Sequence, residues 1–240
     1  MPYTNRHLPL TINDLEYRHH RAALIKHINL QVDSNGNSII LGHNGAGKSL
    51  FLKLLHGVIA PTAGQIQWNS SVPASNQYWR TLLLQKPTFF QRSVQYNLEF
   101  VLHVAGIPVA QRKDLLQQAL DVCGLTDLAE QNANSLSGGQ QQRLSLARAW
   151  VLQPDVLLLD EPTVALDPPA SQVFENILYQ FKQSHTKVFM TTHDLAQAKR
   201  LADEIIFMDK GEVLEQRDAT EFFSAPNSVA AQNFLQGKLA

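Results

Sequence analysis

Cysteine is almost missing from this 240-residue chain: Cys123 is the only one. A single thiol excludes an intramolecular disulfide framework and a cysteine-only metal cage. Long apolar runs are missing too; the longest, such as Val156–Leu159, extend only a few residues. A membrane-spanning helix needs about 20 apolar residues, so no span is expected. The opening residues, MPYTNRHLPLTIN, hold no stretch apolar enough for a secretory signal. Charge of one sign is not in excess either, with 20 Lys+Arg against 21 Asp+Glu and a formal net charge of −1. That balance argues against a non-specific nucleic-acid binder, which carries a basic excess. What is present is a 44% hydrophobic chain, long enough to bury a sizeable core without covalent staples. Composition by itself predicts a soluble, cytoplasmic, globular protein.

The hydrophobic pattern begins strand-like. Leu10, Ile12, Leu15 and Tyr17, then Leu24, Ile28, Leu30 and Val32, suit two half-buried antiparallel strands. Ser34–Asn37 reads as a turn, and Ser38–Leu41 as a short apolar strand. A helix is expected over 48–56, with Phe51, Leu52, Leu54 and Leu55 on its apolar face and Gly57 as its stop. After a turn at Pro61–Gly64, strands are expected over 65–69 and 81–84. Residues 93–131 read as mostly helical, a small subdomain of their own spanning about 91–135. A further helix over 139–152 stops before Pro154. Val156–Asp160 reads as a buried parallel strand. An amphipathic helix carrying Val173, Phe174, Ile177, Leu178 and Phe181 follows it. Then come a strand (187–192), a helix (195–202) and a strand (204–208) turning at Lys210-Gly211. The tail from Ala219 to Leu239 suits one or two short helices. Strands alternating with helices predict an α/β sheet covered on both faces.

Gly42-His43-Asn44-Gly45-Ala46-Gly47-Lys48-Ser49 is a complete G-x-x-x-x-G-K-[ST] loop. Its glycines let backbone N–H groups converge on a phosphate, and the helix beginning at Lys48 points its positive end at the same anion. Lys48 supplies charge to the β and γ phosphates, and the Ser49 hydroxyl is a Mg²⁺ ligand. The preceding apolar strand and the following helix are the context this loop requires.

Five further stations follow. Gln85 closes a predicted strand, where its amide reaches a metal ion or water; alone it reads as a surface residue. Ser137-Gly138-Gly139-Gln140 opens a helix, where Ser is a good N-cap and small residues leave a phosphate-binding surface. Asp160-Glu161 ends the buried strand, where in P-loop enzymes such an Asp holds Mg²⁺ and the neighbouring Glu161 is placed to polarise an attacking water; alone, the pair is more often a solvated strand end. His193 ends another strand, a position more often structural than catalytic. Leu166-Asp167 alone would be a turn before Pro168-Pro169.

Taken in chain order (phosphate loop, Gln85, Ser137–Gln140, Asp160-Glu161, Leu166-Asp167, His193), the motifs resemble the nucleotide-binding subunit of ATP-binding cassette (ABC) transporters, from about Leu10 to Gly211. The resemblance implies a P-loop NTPase core with an antiparallel β subdomain and a small helical subdomain. It implies a cassette over residues 10–216 with a short helical tail over 217–240, leaving no room for a regulatory domain. ATP and Mg²⁺ are the implied cofactors, with Mg²⁺ held through Ser49, Gln85 and Asp160. Tyr17 would stack on adenine, the alternative being a half-buried strand tyrosine. Two copies would dimerise head to tail, each ATP lying between one P-loop and the other copy's Ser137–Gln140. Glu161 would be the general base, His193 would contact the γ-phosphate, and Asp167 would communicate across the dimer. The partners implied are an integral-membrane permease and, indirectly, an extracytoplasmic solute-binding protein, with the chain peripheral at the cytoplasmic face of the membrane. Two positions depart from the family's usual residues: Leu50 where Thr is common, and Val164 where Ser is common.

Cargo is chosen by permease and receptor, so only overall similarity speaks to it. Met190–Glu204, Gly45–Leu50, Ala147–Trp150 and the tail from Phe222-Phe223 to Phe234-Leu235 are similar to compact tungstate-type importer ATPases. Tungstate or molybdate is therefore the expected cargo. A polar amino-acid importer has a similar tail, and an ATP-driven signalling adaptor would carry the same catalytic motifs. A permease's cytoplasmic helix would dock beside Gln85, in a groove lined by Lys86–Phe90, where Phe89 and Phe90 serve either as contacts or as core.

Overall fold

The computed structural model describes residues 5, 7–20, 22–69 and 78–238. Its centre is a six-stranded sheet formed by β3 (Ser38–Leu41), β5 (Arg80–Leu83), β6 (Val156–Asp160), β7 (Lys187–Thr191), β8 (Glu204–Asp209) and β9 (Glu212–Asp218). The strand order is β5-β6-β7-β3-β8-β9, parallel throughout except for β9, which pairs antiparallel with β8. The four inner strands are apolar on both faces, as a sheet covered on both sides requires.

Alternate residues of these strands feed two separate cores. Ile39, Leu41, Leu157, Leu159, Val188, Met190, Ile205 and Phe207 face one. Ile40, Val156, Leu158, Phe189, Ile206 and Met208 face the other. The first core is closed by α4 (Gly138–Trp150) and α5 (Pro168–Gln183), by α2 (Val94–Val104) and α3 (Val109–Val122), and by the tail helices α7 (Ala219–Ser224) and α8 (Val229–Leu235). α6 (Leu195–Leu201) adds Ala198 to it. The second core is closed by α1 (Lys48–His56) and by an antiparallel sheet of β2 (Ala22–Val32), β1 (Leu10–His19) and β4 (Ala63–Trp68). Cys123 is buried in the first core, and burial pushes its thiol up to about 12, so it behaves as a small apolar side chain.

Most expected elements lie where the pattern puts them; three details differ. Leu24 is 42% exposed and Ile25 fully buried, the reverse of the expected alternation. Leu15 pairs with Ile28 while Tyr17 pairs with Ile25, so β2 carries one extra residue. Such a bulge moves side chains to the opposite face, and His27 takes a positive φ of 47° within it. Val173, expected on the apolar face of α5, is 41% exposed. β9 was not expected at all: Glu212, Glu215, Gln216, Arg217 and Asp218 give it a polar sequence suited only to a sheet edge.

Candidate nucleotide site

The carboxyl ends of β3, β5, β6 and β7 lie side by side in the parallel sheet. In open α/β sheets this edge is where ligands bind. The expected site residues follow these strands: Gly42–Ser49 after β3, Gln85 after β5, Asp160-Glu161 closing β6, and His193 after β7. A cleft of about 750 Å³ is lined by Gly42, His43, Asn44, Gly45, Ala46, Gln85, Glu161 and His193, joined by Val164, Asp209, Lys210 and Phe234.

The loop runs directly into α1, whose N-cap is Gly47 and makes no side-chain capping bond. The helix's first N–H groups thus remain available to an anion. Lys48 is 5% exposed, and its Nζ donates to Gly42 O at 2.8 Å and His43 O at 3.1 Å. Those two bonds hold the ammonium along the loop, 3.9 Å from Glu161 Oε1. Burial lowers the Lys48 pKa; the nearby Glu161 and Asp160 carboxylates oppose that shift.

Glu161 lies just past the strand end with a positive φ of 44°, uncommon for a residue with a side chain. Its N–H donates to Thr191 Oγ1 at 2.8 Å, which fixes the turn to the neighbouring strand. Glu161 Oε2 lies 3.3 Å from His193 Nδ1, so lysine, glutamate and histidine form one connected row. The Ser49 hydroxyl donates to Asp160 Oδ1 at 2.8 Å, and Thr191 Oγ1 donates to the same oxygen at 2.9 Å. Asp160 is 8% exposed. Hydroxyl and carboxylate oxygens meeting beside a phosphate loop are the donor set a hard divalent cation such as Mg²⁺ takes, so the residues fit that ion.

Three expected groups lie outside the cleft. Ser137 caps α4 in a reciprocal box: Gln140 N donates to Ser137 Oγ at 3.3 Å, and Ser137 N donates to Gln140 Oε1 at 2.8 Å. Ser137 and Gly138 are exposed. Tyr17 pairs with Ile25 across the antiparallel sheet and is partly buried against its core. Ile25 Cδ1 would lie only 3.0 Å from a Cβ on Gly47, so Tyr17 sits one strand away from the phosphate loop. Asp167 caps α5, its Oδ1 accepting from Ala170 N at 2.8 Å.

Beside Gln85, a groove of about 240 Å³ is lined by Leu82–Leu84, Lys86–Thr88, Val101 and Arg148. Phe89 packs against the core with the Arg148 guanidinium 5.7 Å above its ring. Phe90 is 43% exposed and lies 4.4 Å from the Phe100 ring. Phe234 reaches the site from the tail, a placement that no motif around the phosphate loop indicates. Its ring meets that of His43 edge-on at 5.0 Å and packs 5.3 Å from Phe207. The Phe-Leu pair in the tail was its only trace.

Fold and site together define a P-loop ATPase. Residues 25–164 match the family profile described as ABC transporter. The chain is 35% identical over 243 residues to a phosphate import ATP-binding protein, PstB, of Mycoplasmoides gallisepticum, covering 94% of this chain and 74% of that one. It is 32% identical to a methionine import ATP-binding protein, MetN, of Corynebacterium jeikeium, covering 90% and 61% respectively. Among solved structures, cbiO1 of Clostridium perfringens, described as part of the ABC transporter complex cbiONQ, superposes with a TM-score of 0.81 at 26% identity over 90% of both chains. The chain belongs to the ABC transporter family, and its activity is the ATP hydrolysis that drives transport. The relatives named here carry phosphate and methionine import in their names, not tungstate. Among the described residues, no helix is long and apolar enough to cross a membrane.

Proposed function

We propose that this chain is the ATPase of an importer for a tetrahedral oxyanion, working through a separate permease and served by an extracytoplasmic solute-binding protein. The observation that carries the ATPase half is the row Lys48–Glu161–His193 along a cleft floored by the phosphate loop. Lys48 and the α1 N-terminus hold the β and γ phosphates. Glu161 takes the proton of the attacking water as general base, His193 contacts the γ-phosphate, and Gln85 orients the water. Ser49, Asp160 and Gln85 would hold Mg²⁺, which neutralises charge developing on the phosphates. Tyr17 stacks on adenine at the near end of the β1–β2 sheet.

Ser137–Gln140 does not border the cleft of its own chain, which is what a head-to-tail homodimer requires: each copy's signature completes the other's site. In this reading residues 10–216 are the cassette, with the helical subdomain at about 91–135, and 217–240 are the tail. Membrane attachment at the cytoplasmic face comes through the permease, docked beside Gln85 and Lys86–Phe90.

The oxyanion class is supported by the similarity to a phosphate import ATPase; tungstate or molybdate is the narrower cargo, suggested by the motif resemblance alone. The similarity to a methionine import ATPase supports the second reading, an amino-acid importer. The test is ATP hydrolysis by the assembled transporter with its receptor, given tungstate, molybdate, phosphate, methionine or glutamine in turn. Stimulation by an oxyanion supports the proposal; stimulation by an amino acid alone overturns it.

A further inference from the structure

The segments carrying Glu161 and His193 are tied together from behind by one buried amide. Gln197, in α6, is 2% exposed. Its Oε1 accepts from Thr163 Oγ1 at 3.0 Å and from Thr192 Oγ1 at 3.1 Å. Thr163 lies two residues after Glu161, and Thr192 immediately precedes His193. Gln197 Nε2 donates to Glu175 Oε1 at 3.1 Å. Glu175, 6% exposed on α5, also accepts from Arg200 Nη2 at 2.8 Å and from Arg200 Nε at 3.3 Å. The ion pair settles which way the amide faces. An ionised carboxylate only accepts, so the NH₂ of Gln197 must face Glu175 and its oxygen must face the two threonines.

We infer that Gln197 is a positioning residue for hydrolysis, setting the separation of Glu161 and His193 through Thr163 and Thr192; this rests on the roles proposed above for those two groups. The need for such a tie is visible in the packing. Glu161, Thr163, Val164, Thr192 and His193 all line a cavity of about 560 Å³. Side-chain packing therefore leaves both turns room to shift. The Thr191 hydroxyl holds the first residue of the Glu161 turn, while Gln197 holds the turn two residues later and holds the His193 segment at the same atom. A misplacement of about 1 Å can cost about 10²-fold in rate, so a tie that limits smaller shifts is worth about tenfold.

The test uses the full chain and compares Gln197→Leu, Thr163→Val and Thr163→Ser with wild type and Glu161→Gln. Thr163→Val removes one hydroxyl at nearly constant volume, so it remains informative if Gln197→Leu fails to fold. Thr163→Ser restores the hydroxyl. The expected result is a fall in kcat of about tenfold for Gln197→Leu and Thr163→Val, with ATP affinity within about threefold of wild type and Thr163→Ser near normal. Amide hydrogen exchange in the nucleotide-free protein should quicken at 161–166 and also at 192–194, even for Thr163→Val. Values of kcat within about twofold of wild type, a loss confined to ATP affinity, or Thr163→Ser as impaired as Thr163→Val would overturn the inference. If Glu161→Gln still hydrolyses ATP normally, the role of Glu161 fails and takes this inference with it. If Glu161→Gln is inactive while both tie variants are normal, the inference alone fails.

Discussion

Gly42 opens the phosphate loop at the point where β3 leaves the sheet, with a φ of +150°. A Cβ added there would lie 2.1 Å from Met208 O, against an ordinary contact of 3.4 Å or more. Met208 lies in β8, which is hydrogen-bonded on one side to β3 and on the other to β9. The strand cannot retreat without breaking those ladders, so in Gly42→Ala the loop itself must move, by about 1 Å. A displacement of that size costs about 10²-fold in rate, because it also moves the carbonyls of Gly42 and His43 that hold Lys48 Nζ. The backbone conformation adds about 1–3 kcal/mol of strain to the folded state. Gly106 separates the two effects: its φ is +70°, and an added Cβ would meet nothing within 4 Å. Gly106→Ala should therefore lose only about 1–2 kcal/mol of stability and hydrolyse ATP normally. The assays are urea unfolding, binding of a fluorescent ATP analogue and steady-state ATP hydrolysis. Wild-type kcat/KM in Gly42→Ala would refute the claim that this backbone contact sets the loop.

Lys187 is fully buried, its Nζ donating to Gly36 O and to Ser38 Oγ, and burial lowers its pKa from 10.5 to about 8. The unfolded chain then binds more protons between pH 8 and 10.5, so this group makes stability rise with pH over that window. The difference in unfolding free energy between wild type and Lys187→Met should shift toward wild type by about 2–3 kcal/mol from pH 7 to 10; a difference that stays flat across urea titrations at those pH values would contradict the assignment. Phe234→Ala removes the edge-on contact with His43 and the packing on Phe207. It should lower stability by about 2 kcal/mol and weaken ATP-analogue binding by about threefold; unchanged binding would show that the tail helix does not support the loop.

How legible all this was depended on where the determining forces lie. β3, α1 and β6 are bounded by their own residues, an apolar run meeting a glycine loop, Gly57 or a pair of acids, and the structure matches those limits. The alternation in β2 failed at one bulge, because a left-handed residue at His27 leaves no mark in a hydrophobic pattern. β9 was missed because an edge strand can be polar and is recruited by β8 rather than by its own propensity. In the site, the glycine loop, the acids and His193 were readable because chemistry dictates their types. Phe234 and Gln197 were not: an aromatic almost 200 residues from the loop and an amide behind it are brought in by tertiary packing alone.

The proposed hydrolysis rests on Glu161 as the base of an ATPase whose site is completed by a second copy. Its most direct test is Glu161→Gln, followed by ATP hydrolysis, ATP affinity and solution mass with and without ATP. Hydrolysis should fall by about 10²–10⁴-fold, with ATP affinity retained and a dimer that persists in ATP. Hydrolysis near the wild-type rate would contradict the role of Glu161 as base.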